Sequence, residues 1–515
     1  MPHEILTPEE MAEVDGAAIA AGPLDGYALM RNAGAAVARQ VLSRWPGATG
    51  VDVLCGPGNN GGDGYVVASI LAEAGCVVRV FADGAPRLGG DAALAARDCP
   101  LQPARLDEYR PRPGSVVVDA LYGAGLTRPL DARYGEVFDA FRGAAAVVAV
   151  DLPSGLSGQS GVAGGPCLRA DVTVTFVRPK PGHLLEPGRG LCGEVVVADI
   201  GIRDQVVGTR TLHVNDPALW QGALPVPGVD THKYSRGHVA VFSGGPSSTG
   251  AARLSAMAAA RAGAGAVTVL SPPAALQVNA AHLTSIMVRR IEAPAEAPSF
   301  VSERKVRAVV LGPGFGAMDR LRETALALLG GAGKTLTVVL DADAFTAFGE
   351  AQDQLFAASG ASRAKVVLTP HEGEFSRLFP DIARDAELSK VEKARRAAAR
   401  AQAVVVLKGP DTVISAPDGR AAINANGSPW LATAGSGDVL AGLIAGLAAQ
   451  GMAGFEAACA AVWIHAEAGA RFGPGLIAED LPALVPGVAR ELFERTRFGW
   501  TSSRQAGVTV SSRRR

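Results

Sequence analysis

Cysteine is scarce: the chain has six in 515 residues, Cys55, Cys76, Cys99, Cys167, Cys192 and Cys459, and no two of them form a C-x-x-C pair. That is too sparse for a disulfide framework, so the cysteine usage predicts a reducing, cytoplasmic setting. Aromatic residues are also few, at 5%, which leaves little for stacking on bases. Neither sign of charge is in excess. Lys+Arg total 49 against 50 for Asp+Glu, a net charge of -1, and this predicts no nucleic-acid partner and no anionic membrane partner. The most apolar run, Val439 to Ala449, is too short to span a bilayer and follows directly on Asp438. The opening Met1-Pro2-His3-Glu4 lacks the basic start and apolar run of a signal peptide. No G-x-x-x-x-G-K-[ST] phosphate loop occurs, so any nucleotide must be held in another way.

What the chain does have is 48% hydrophobic residues, enough for more than one core at this length. Short β-branched runs alternate with alanine-rich helical stretches. In the first half the runs are Val51 to Cys55, Val77 to Phe81, Val116 to Asp119, Val147 to Asp151, Val172 to Val177 and Val195 to Asp199. They are apolar on both faces, as buried parallel strands are, and intervals such as Asp63 to Ala74 suit crossover helices. An amphipathic stretch from about Asp25 to Trp45 predicts a leading helix. Near Asn215 to Tyr234 the pattern breaks at Pro217, Pro225, Pro227 and Gly228, and the break reads as a linker.

A second series follows: His238 to Ser243, Ala266 to Leu270, Ala308 to Leu311, Thr337 to Asp341, Val366 to Thr369 and Val404 to Leu407. Helices Ala251 to Gly263 and Ser389 to Gln402 fill gaps between them. The fold class is therefore α/β with two domains, each built on a largely parallel sheet. The expected division is 1–215, a linker over 216–229, a second domain over 230–496 and a disordered tail over 497–515.

In the first domain, Gly56-Pro57-Gly58-Asn59-Asn60-Gly61-Gly62-Asp63-Gly64 lies between a strand and a helix. Glycines let backbone approach a ligand, and a helix N-terminus suits a phosphate. The bland alternative is a tight turn needing several positive φ values. The run is not read as an ordinary dehydrogenase turn. Asp119 ends one strand before Gly123-Ala124-Gly125-Leu126-Thr127-Arg128-Pro129, and Asp151 ends the next before Leu152-Pro153-Ser154-Gly155. Thr175-Phe176-Val177-Arg178-Pro179-Lys180-Pro181-Gly182 follows a third strand. Each aspartate alone could be a helix cap. Together these segments converge where open α/β sheets bind ligands, at the carboxyl ends of strands.

These motifs resemble the NAD(P)H-hydrate epimerase family over residues 1–215. The resemblance implies a Rossmann-like doubly wound sheet and a hydrate site formed by Asn59, Asn60, Gly61, Gly62, Asp63, Gly123, Ala124, Gly125, Leu126, Thr127, Arg128, Pro129 and Asp151. It also implies a catalytic role for Asp151 at the substrate, and a potassium ion on Asn60, Asp119 and Ser154.

In the second domain, Asn426 to Asp438 ends in Gly435-Ser436-Gly437-Asp438 and enters the apolar run. Such a turn can form an anion hole for a phosphoryl group, with Asp438 placed to take a proton from an attacking hydroxyl. Helix capping by Asp438 is the bland alternative. Lys408-Gly409-Pro410-Asp411-Thr412 follows a strand, and Thr369-Pro370-His371-Glu372-Gly373-Glu374 is a polar strand end whose acids could hold magnesium. Leu340-Asp341-Ala342-Asp343 and Leu311 to Gly316 complete the rim. His465 lies in an apolar stretch and reads as a core residue. His232 and His238 lack zinc-ligand spacing.

This half resembles the ADP- or ATP-dependent NAD(P)H-hydrate dehydratases of the ribokinase-like superfamily, over Asp230 to Thr496. The resemblance implies an α/β/α domain with Asp438 as catalytic base. It places adenine nucleotide on Lys408, Gly409, Pro410, Asp411, Thr412 and Gly437, and hydrate on Ala251, Gly316, His371 and Asp438. Ser436 stands where threonine is usual, Ala434 where glycine is common and Trp430 where the residue is usually small. The joint expectation is repair of hydrated NADH and NADPH by epimerisation and ADP-driven dehydration. Expected with it are K+ in the first domain, Mg2+ with ADP in the second, and a homo-oligomer. A plain small-molecule kinase in the second domain and a non-catalytic binding module in the first are the rival readings.

Overall fold

Strands buried on both faces build two mostly parallel sheets in the computed structural model, which describes residues 3–331, 333–498 and 508–510. The first compact unit runs to Arg210, and the second starts at Thr211.

In the first unit β1 (Val51–Cys55), β2 (Val78–Ala82), β3 (Ala104–Arg105), β4 (Val116–Ala120), β5 (Ala146–Val150), β6 (Val172–Phe176) and β7 (Glu194–Ala198) run parallel in the order β7-β6-β5-β4-β1-β2-β3. That order reverses between β1 and β4, the switch point at which doubly wound sheets open a crevice. β1, β4, β5 and β6 are buried throughout, as their unbroken apolar runs require. The leading helix spans Gly26–Arg44, with the Asp25 side chain accepting from the Ala28 N–H at its start. A further helix, Pro8–Ala21, precedes it, opened by a Thr7–Glu10 capping box.

The second unit holds β8 (Leu212–Val214), β9 (His238–Phe242), β10 (Ala266–Ser271), β11 (Met287–Arg290), β12 (Ala308–Leu311), β13 (Thr337–Leu340), β14 (Lys365–Leu368), β15 (Val404–Leu407), β16 (Val413–Ser415) and β17 (Ala421–Ile423). Their order is β11-β10-β9-β12-β13-β14-β15-β16-β17-β8, parallel from β11 to β15 and then antiparallel through β16 and β17. The apolar run after Asp438 is the buried helix Ser436–Ala449, packed against the helix Thr249–Arg261. Among the described residues no helix is long and apolar enough to cross a membrane.

Two boundaries differ from those read in the sequence. Leu212–Val214 pairs parallel with Ala421–Ile423, so this stretch belongs to the second sheet and not to the first domain. The expected linker also begins inside that core. Asn215 Nδ2 donates to Asn424 Oδ1 at 3.0 Å and to the Cys459 carbonyl at 2.9 Å, and the buried Trp220 indole donates to Asn215 Oδ1 at 3.1 Å. Prolines without periodicity masked a cap stitched on by side-chain hydrogen bonds. Most of the expected tail, 497–515, lies outside the described residues. Within it, β18 (Val508–Val510) pairs parallel with Val195–Val197 of β7.

Candidate active sites

After β1 the chain turns through only Gly56, Pro57 and Gly58 before the helix Asn59–Glu73, so Asn59, Asn60, Gly61 and Gly62 form the first turn of that helix. None of the glycines from Gly56 to Gly64 takes a positive φ, which removes the tight-turn explanation. Close packing requires them instead. A Cβ on Gly56 would stand 1.9 Å from the Leu121 carbonyl oxygen, and one on Gly61 would stand 1.8 Å from that of Gly56. Gly58 alone faces open space on the cleft. Gly56, Gly58 and Gly61 in fact have the G-x-G-x-x-G spacing, so the reading that set this run apart from a dinucleotide turn is corrected. Their roles also fit that turn, with the middle glycine open to a ligand and the third packing helix on strand.

Asp151, just past β5, is held at φ 64. Its Oδ1 accepts from Lys180 Nζ at 2.8 Å and from Thr175 Oγ1 at 2.9 Å, and its Oδ2 accepts from the Ala124 N–H at 2.9 Å. Burial works to raise its pKa, but the Lys180 ammonium overcomes this and draws it down to about 2. His183 Nε2 lies 2.7 Å from the Asp151 carbonyl oxygen, and burial lowers that imidazole to about 4. Nothing in the sequence assigns Lys180 a role; its signal is a lysine set between two prolines at a strand end, two residues after Arg178. A Cβ on Gly123 would meet Asn60 Oδ1 at 2.8 Å and Asp151 Oδ2 at 3.0 Å, so the two glycine-rich segments meet over these side chains.

Beneath them Asp119 is fully buried. It accepts from Ser154 Oγ at 2.6 Å, from the Ser154 N–H at 2.8 Å and from the Leu121 N–H at 3.2 Å. Burial pushes its carboxyl up to about 6 against those hydrogen bonds. It makes no ion pair among the described residues, and the Asn60 Nδ2 is buried without a partner. A cleft of about 1040 Å³ brings together Asn59, Asn60, Asp63, Gly123 to Arg128, Asp151 and Lys180. Gly61, Gly62 and Pro129 do not line it. Asp15, Met11 and Met30, from the two leading helices, do line it and were not foreseen.

The second centre forms at the carboxyl ends of β13 and β15. Lys408 Nζ donates to Asp341 Oδ1 at 2.8 Å and lies 3.7 Å from Glu374 Oε2. Burial works to lower this lysine, but Asp341 and Glu374 outweigh it and hold its pKa above the ordinary value. Gly435 takes φ 90, a conformation that favours glycine, and turns the chain into the helix Ser436–Ala449. A Cβ on Gly437 would lie 3.4 Å from Lys408 Nζ and 3.8 Å from Asp341 Oδ2, so the turn faces this charge cluster.

Asp438 follows in the helix's first turn, where a carboxylate also suits the helix N-terminus, while Gly435 and not Asp438 is the N-cap residue. Burial, then the nearby Asp341, raises its pKa to about 7, with Lys408 opposing. Ser436 Oγ lies 3.1 Å from Nε2 of the buried His465. His465 is thus a satisfied buried residue, but its partner is the turn itself.

Other expected residues hold the frame. Thr412 Oγ1 donates to the Gly409 carbonyl at 2.8 Å and accepts from its N–H at 3.1 Å, and Asp411 is ion-paired with Lys390. His371 caps the helix Glu372–Leu378, its Nδ1 accepting from the Gly373 and Glu374 N–H groups at 3.0 and 3.3 Å. Its ring stays exposed. The Ala251 Cβ would lie 3.3 Å from a Cβ on Gly314, and the Gly316 N–H donates to Asp343 Oδ2 at 2.9 Å, placing Ala251 beside the loop after β12. Pro410 is exposed at the tip of its turn.

Comparison with known proteins adds the family. Residues 26–182 match a family model described as the YjeF-related protein N-terminus, and residues 239–480 match one described as NAD(P)H-hydrate dehydratase. A solved Bacillus subtilis ADP/ATP-dependent NAD(P)H-hydrate dehydratase, co-crystallised with ATP/Mg2+, is 26% identical with a TM-score of 0.47, covering 54% of this chain and 98% of that one. The bifunctional NAD(P)H-hydrate repair enzyme Nnr of Escherichia coli is 32% identical, with 93% of each chain covered. That of Coxiella burnetii is 36% identical over 92% of this chain and 96% of its own. The enzyme of Moorella thermoacetica is also 36% identical, over 95% of this chain and 97% of its own. With two glycine-lined centres in one chain and relatives matched from end to end, the chain belongs to the family of bifunctional NAD(P)H-hydrate repair enzymes.

Proposed function

We propose that the chain repairs hydrated NADH and NADPH: the first unit interconverts the R and S hydrates, and the second dehydrates the S form at the expense of ADP, giving NAD(P)H, AMP and phosphate. The observation that carries the chemistry is Asp438, a carboxylate with a pKa near 7 beside Lys408 and a glycine-rich helix start. Hydroxide is a poor leaving group and phosphate a good one. The hydrate hydroxyl attacks the terminal phosphorus, Asp438 takes its proton, and AMP departs. N–H groups of the Gly435–Gly437 turn and the Lys408 ammonium neutralise charge on the moving phosphoryl group. Phosphate then leaves the ring carbon with its electron pair, and loss of a ring proton restores the reduced nicotinamide. Ala251, Gly316 and His371 border the hydrate in this reading, while Asp411 and Thr412 hold the nucleotide turn in shape. Magnesium is usually bound by one or two carboxylates and the nucleotide's own phosphates, and Glu372 and Glu374 stand at this rim.

In the first unit the pyrophosphate of the hydrate lies over Gly58 and the free N–H groups of Asn59 and Asn60. Asp151 faces the damaged ring. Potassium fits the donor set beneath it, because Asp119 is a buried carboxylate with oxygen donors around it and no cationic partner among the described residues. Asn60, Asp119 and Ser154 would hold the ion, which supplies the missing positive charge. A homo-oligomer in the cytoplasm completes the reading, and sedimentation of the purified chain tests the first part.

The deciding experiment follows the near-ultraviolet absorbance of reduced nicotinamide. The chain is mixed with R plus S hydrate, magnesium and potassium, with and without ADP. Nearly complete recovery with release of phosphate is expected only with ADP. Recovery that stops after the S form would leave the first unit as a binding module. A stable phosphorylated product would make the second unit a kinase.

A further inference from the structure

The cleft of the first unit carries more acid than the binding of a hydrate explains. Four aspartates line it, Asp15, Asp63, Asp91 and Asp151, together with one buried base, Lys180. Lys180 is committed to Asp151 at 2.8 Å, and Thr175 and the Ala124 N–H fill that carboxylate's remaining positions. A carboxylate so fully satisfied is a weak base and, once ionised, has no proton to give.

Asp15 and Asp63 are placed differently. The capping box at Thr7 sets the phase of the helix Pro8–Ala21, so Met11, Asp15 and Ile19, four residues apart, all face the cleft. Asp63 comes from the second turn of the helix Asn59–Glu73 and is 9% exposed. Neither carboxylate receives a hydrogen bond from the described residues. The other charged groups lining the cleft are the exposed Arg87 and Arg128 and the half-buried Asp91. Behind Asp151 lies His183, neutral through burial.

Resting on the epimerase reading above, we propose that Asp15 and Asp63 share the proton that drives epimerisation, with Asp63 as the acid that delivers it to the leaving hydroxyl and Asp151 as the fixed negative charge that steadies the cationic ring. Water adds to an enamine so that the hydroxyl sits on the carbon beside nitrogen. In the step, the ring-nitrogen lone pair forms a C=N bond while the carbon–oxygen bond breaks, its electron pair going to oxygen. Oxygen takes the Asp63 proton and leaves as water. Water then adds to the other face of the same carbon and returns a proton to Asp63. Nothing is oxidised or reduced, and the acid ends as it began.

The electrostatics agree with the placement. Burial, then Asp151 and Asp15, raise Asp63 well above the carboxylate range, while Lys180 opposes. Burial raises Asp15 to about 6, with Lys180 opposing and Asp151 adding. Both carboxylates line one cleft, and the negative charge of Asp15 adds to burial in keeping a proton on Asp63.

The test follows R-to-S interconversion chromatographically in the full chain without ADP. Wild type must first exceed the spontaneous rate; failure there sinks the epimerase reading itself. Given that activity, Asp63→Asn is expected to lower kcat about 100-fold or more with KM changed little, the usual worth of a general acid. Wild-type kcat falls as the pH rises and the pair loses its proton. Asp15→Asn removes a neighbouring negative charge, lowers the Asp63 pKa and moves that falling limb to lower pH. Asp63→Glu, which keeps the acid, is expected to recover part of the rate and guards against simple misfolding. Asp63→Asn within threefold of wild type, a loss confined to KM, or an unmoved limb in Asp15→Asn would each overturn the proposal.

Discussion

Asp438 and Asp151 illustrate how surroundings separate two identical side chains. Asp438 stands in the first turn of the helix Ser436–Ala449 and Asp151 just past β5, yet burial and Asp341 raise Asp438 to about 7, while Lys180 overcomes burial and draws Asp151 down to about 2. The first can accept a proton near neutrality. Dehydratase kcat is therefore expected to rise with pH through about 7, because the base must be ionised to act. Asp438→Asn should lose that limb and about 100- to 10,000-fold in kcat; a pH-rate series with saturating ADP reads both. For Asp151 the sign runs the other way. A folded pKa of about 2 lies under the ordinary aspartate value of 3.8, so the stabilisation from its ion pair is complete above about pH 4 and lost as the pH falls toward 2. Lys180→Met leaves the carboxylate buried without its partner and should cost about 3–5 kcal/mol at pH 7, measured by urea unfolding. No loss of stability in that variant would show the pair to be incidental.

At the scale of elements, the glycine run after β1 allows a prediction that separates packing from ligand contact. Gly61→Ala drives a Cβ into the Gly56 carbonyl oxygen at 1.8 Å, and overpacking of this kind costs about 1–3 kcal/mol. Gly58→Ala meets nothing within 4 Å, so stability should change by about 0.5 kcal/mol or less while affinity for the hydrate falls. Denaturant melts and hydrate titration of the two variants distinguish these effects; equal losses of stability would contradict the packing account. The same run shows what was legible in the sequence. The twelve strands read from Val51 to Leu407 emerge within a residue or two of their apolar runs, because burial on both faces leaves an unbroken signal, whereas the short edge strands β3, β8 and β11 gave none. The helix Lys390–Ala401 begins after Ser389, whose side chain accepts from the Glu392 N–H, again as local chemistry announces. The helix at Asn59 starts four residues earlier than expected, since intrinsic propensity argues against a helix through two glycines and only the tertiary fit to Leu121 and Met30 overrides it. Asp119 and Asp151 were legible because strand ends point to ligand sites, and Asp438 because a Gly-Ser-Gly turn leads into its helix. Lys180 and Asp15 were not, because their roles come from through-space pairing and from a helix distant in sequence.

At the scale of the whole molecule, two alternating α/β series were readable from composition alone, but the division between them was not. The prolines after Asn215 suggested a free linker, whereas Leu212–Val214 closes the edge of the second sheet and Asn215 bridges Trp220, Asn424 and the Cys459 carbonyl. Where the chain is cut therefore decides what the second unit retains. A fragment beginning at Thr211 keeps the parallel pairing with Ala421–Ile423 and all three bridging hydrogen bonds. One beginning at Asp216 loses the strand and leaves the Trp220 indole and the Asn424 amide buried without those partners. Each such orphan costs about 1–3 kcal/mol, and exposed backbone on Ala421–Ile423 adds to it. For a unit of this size about 1 kcal/mol corresponds to 2–4 °C, so the shorter fragment should melt roughly 10 °C below the longer one. Because β8 sits at the far edge from Asp438, with β15, β16 and β17 between it and β14, dehydration of S hydrate by the two fragments at 20 °C or below should be closely similar. Equal melting temperatures would mean that the edge strand adds nothing to the second fold. A shorter fragment that melts lower but keeps its rate would identify residues 211–215 as a structural clasp whose sequence position, ahead of the linker, serves the second unit and not the first.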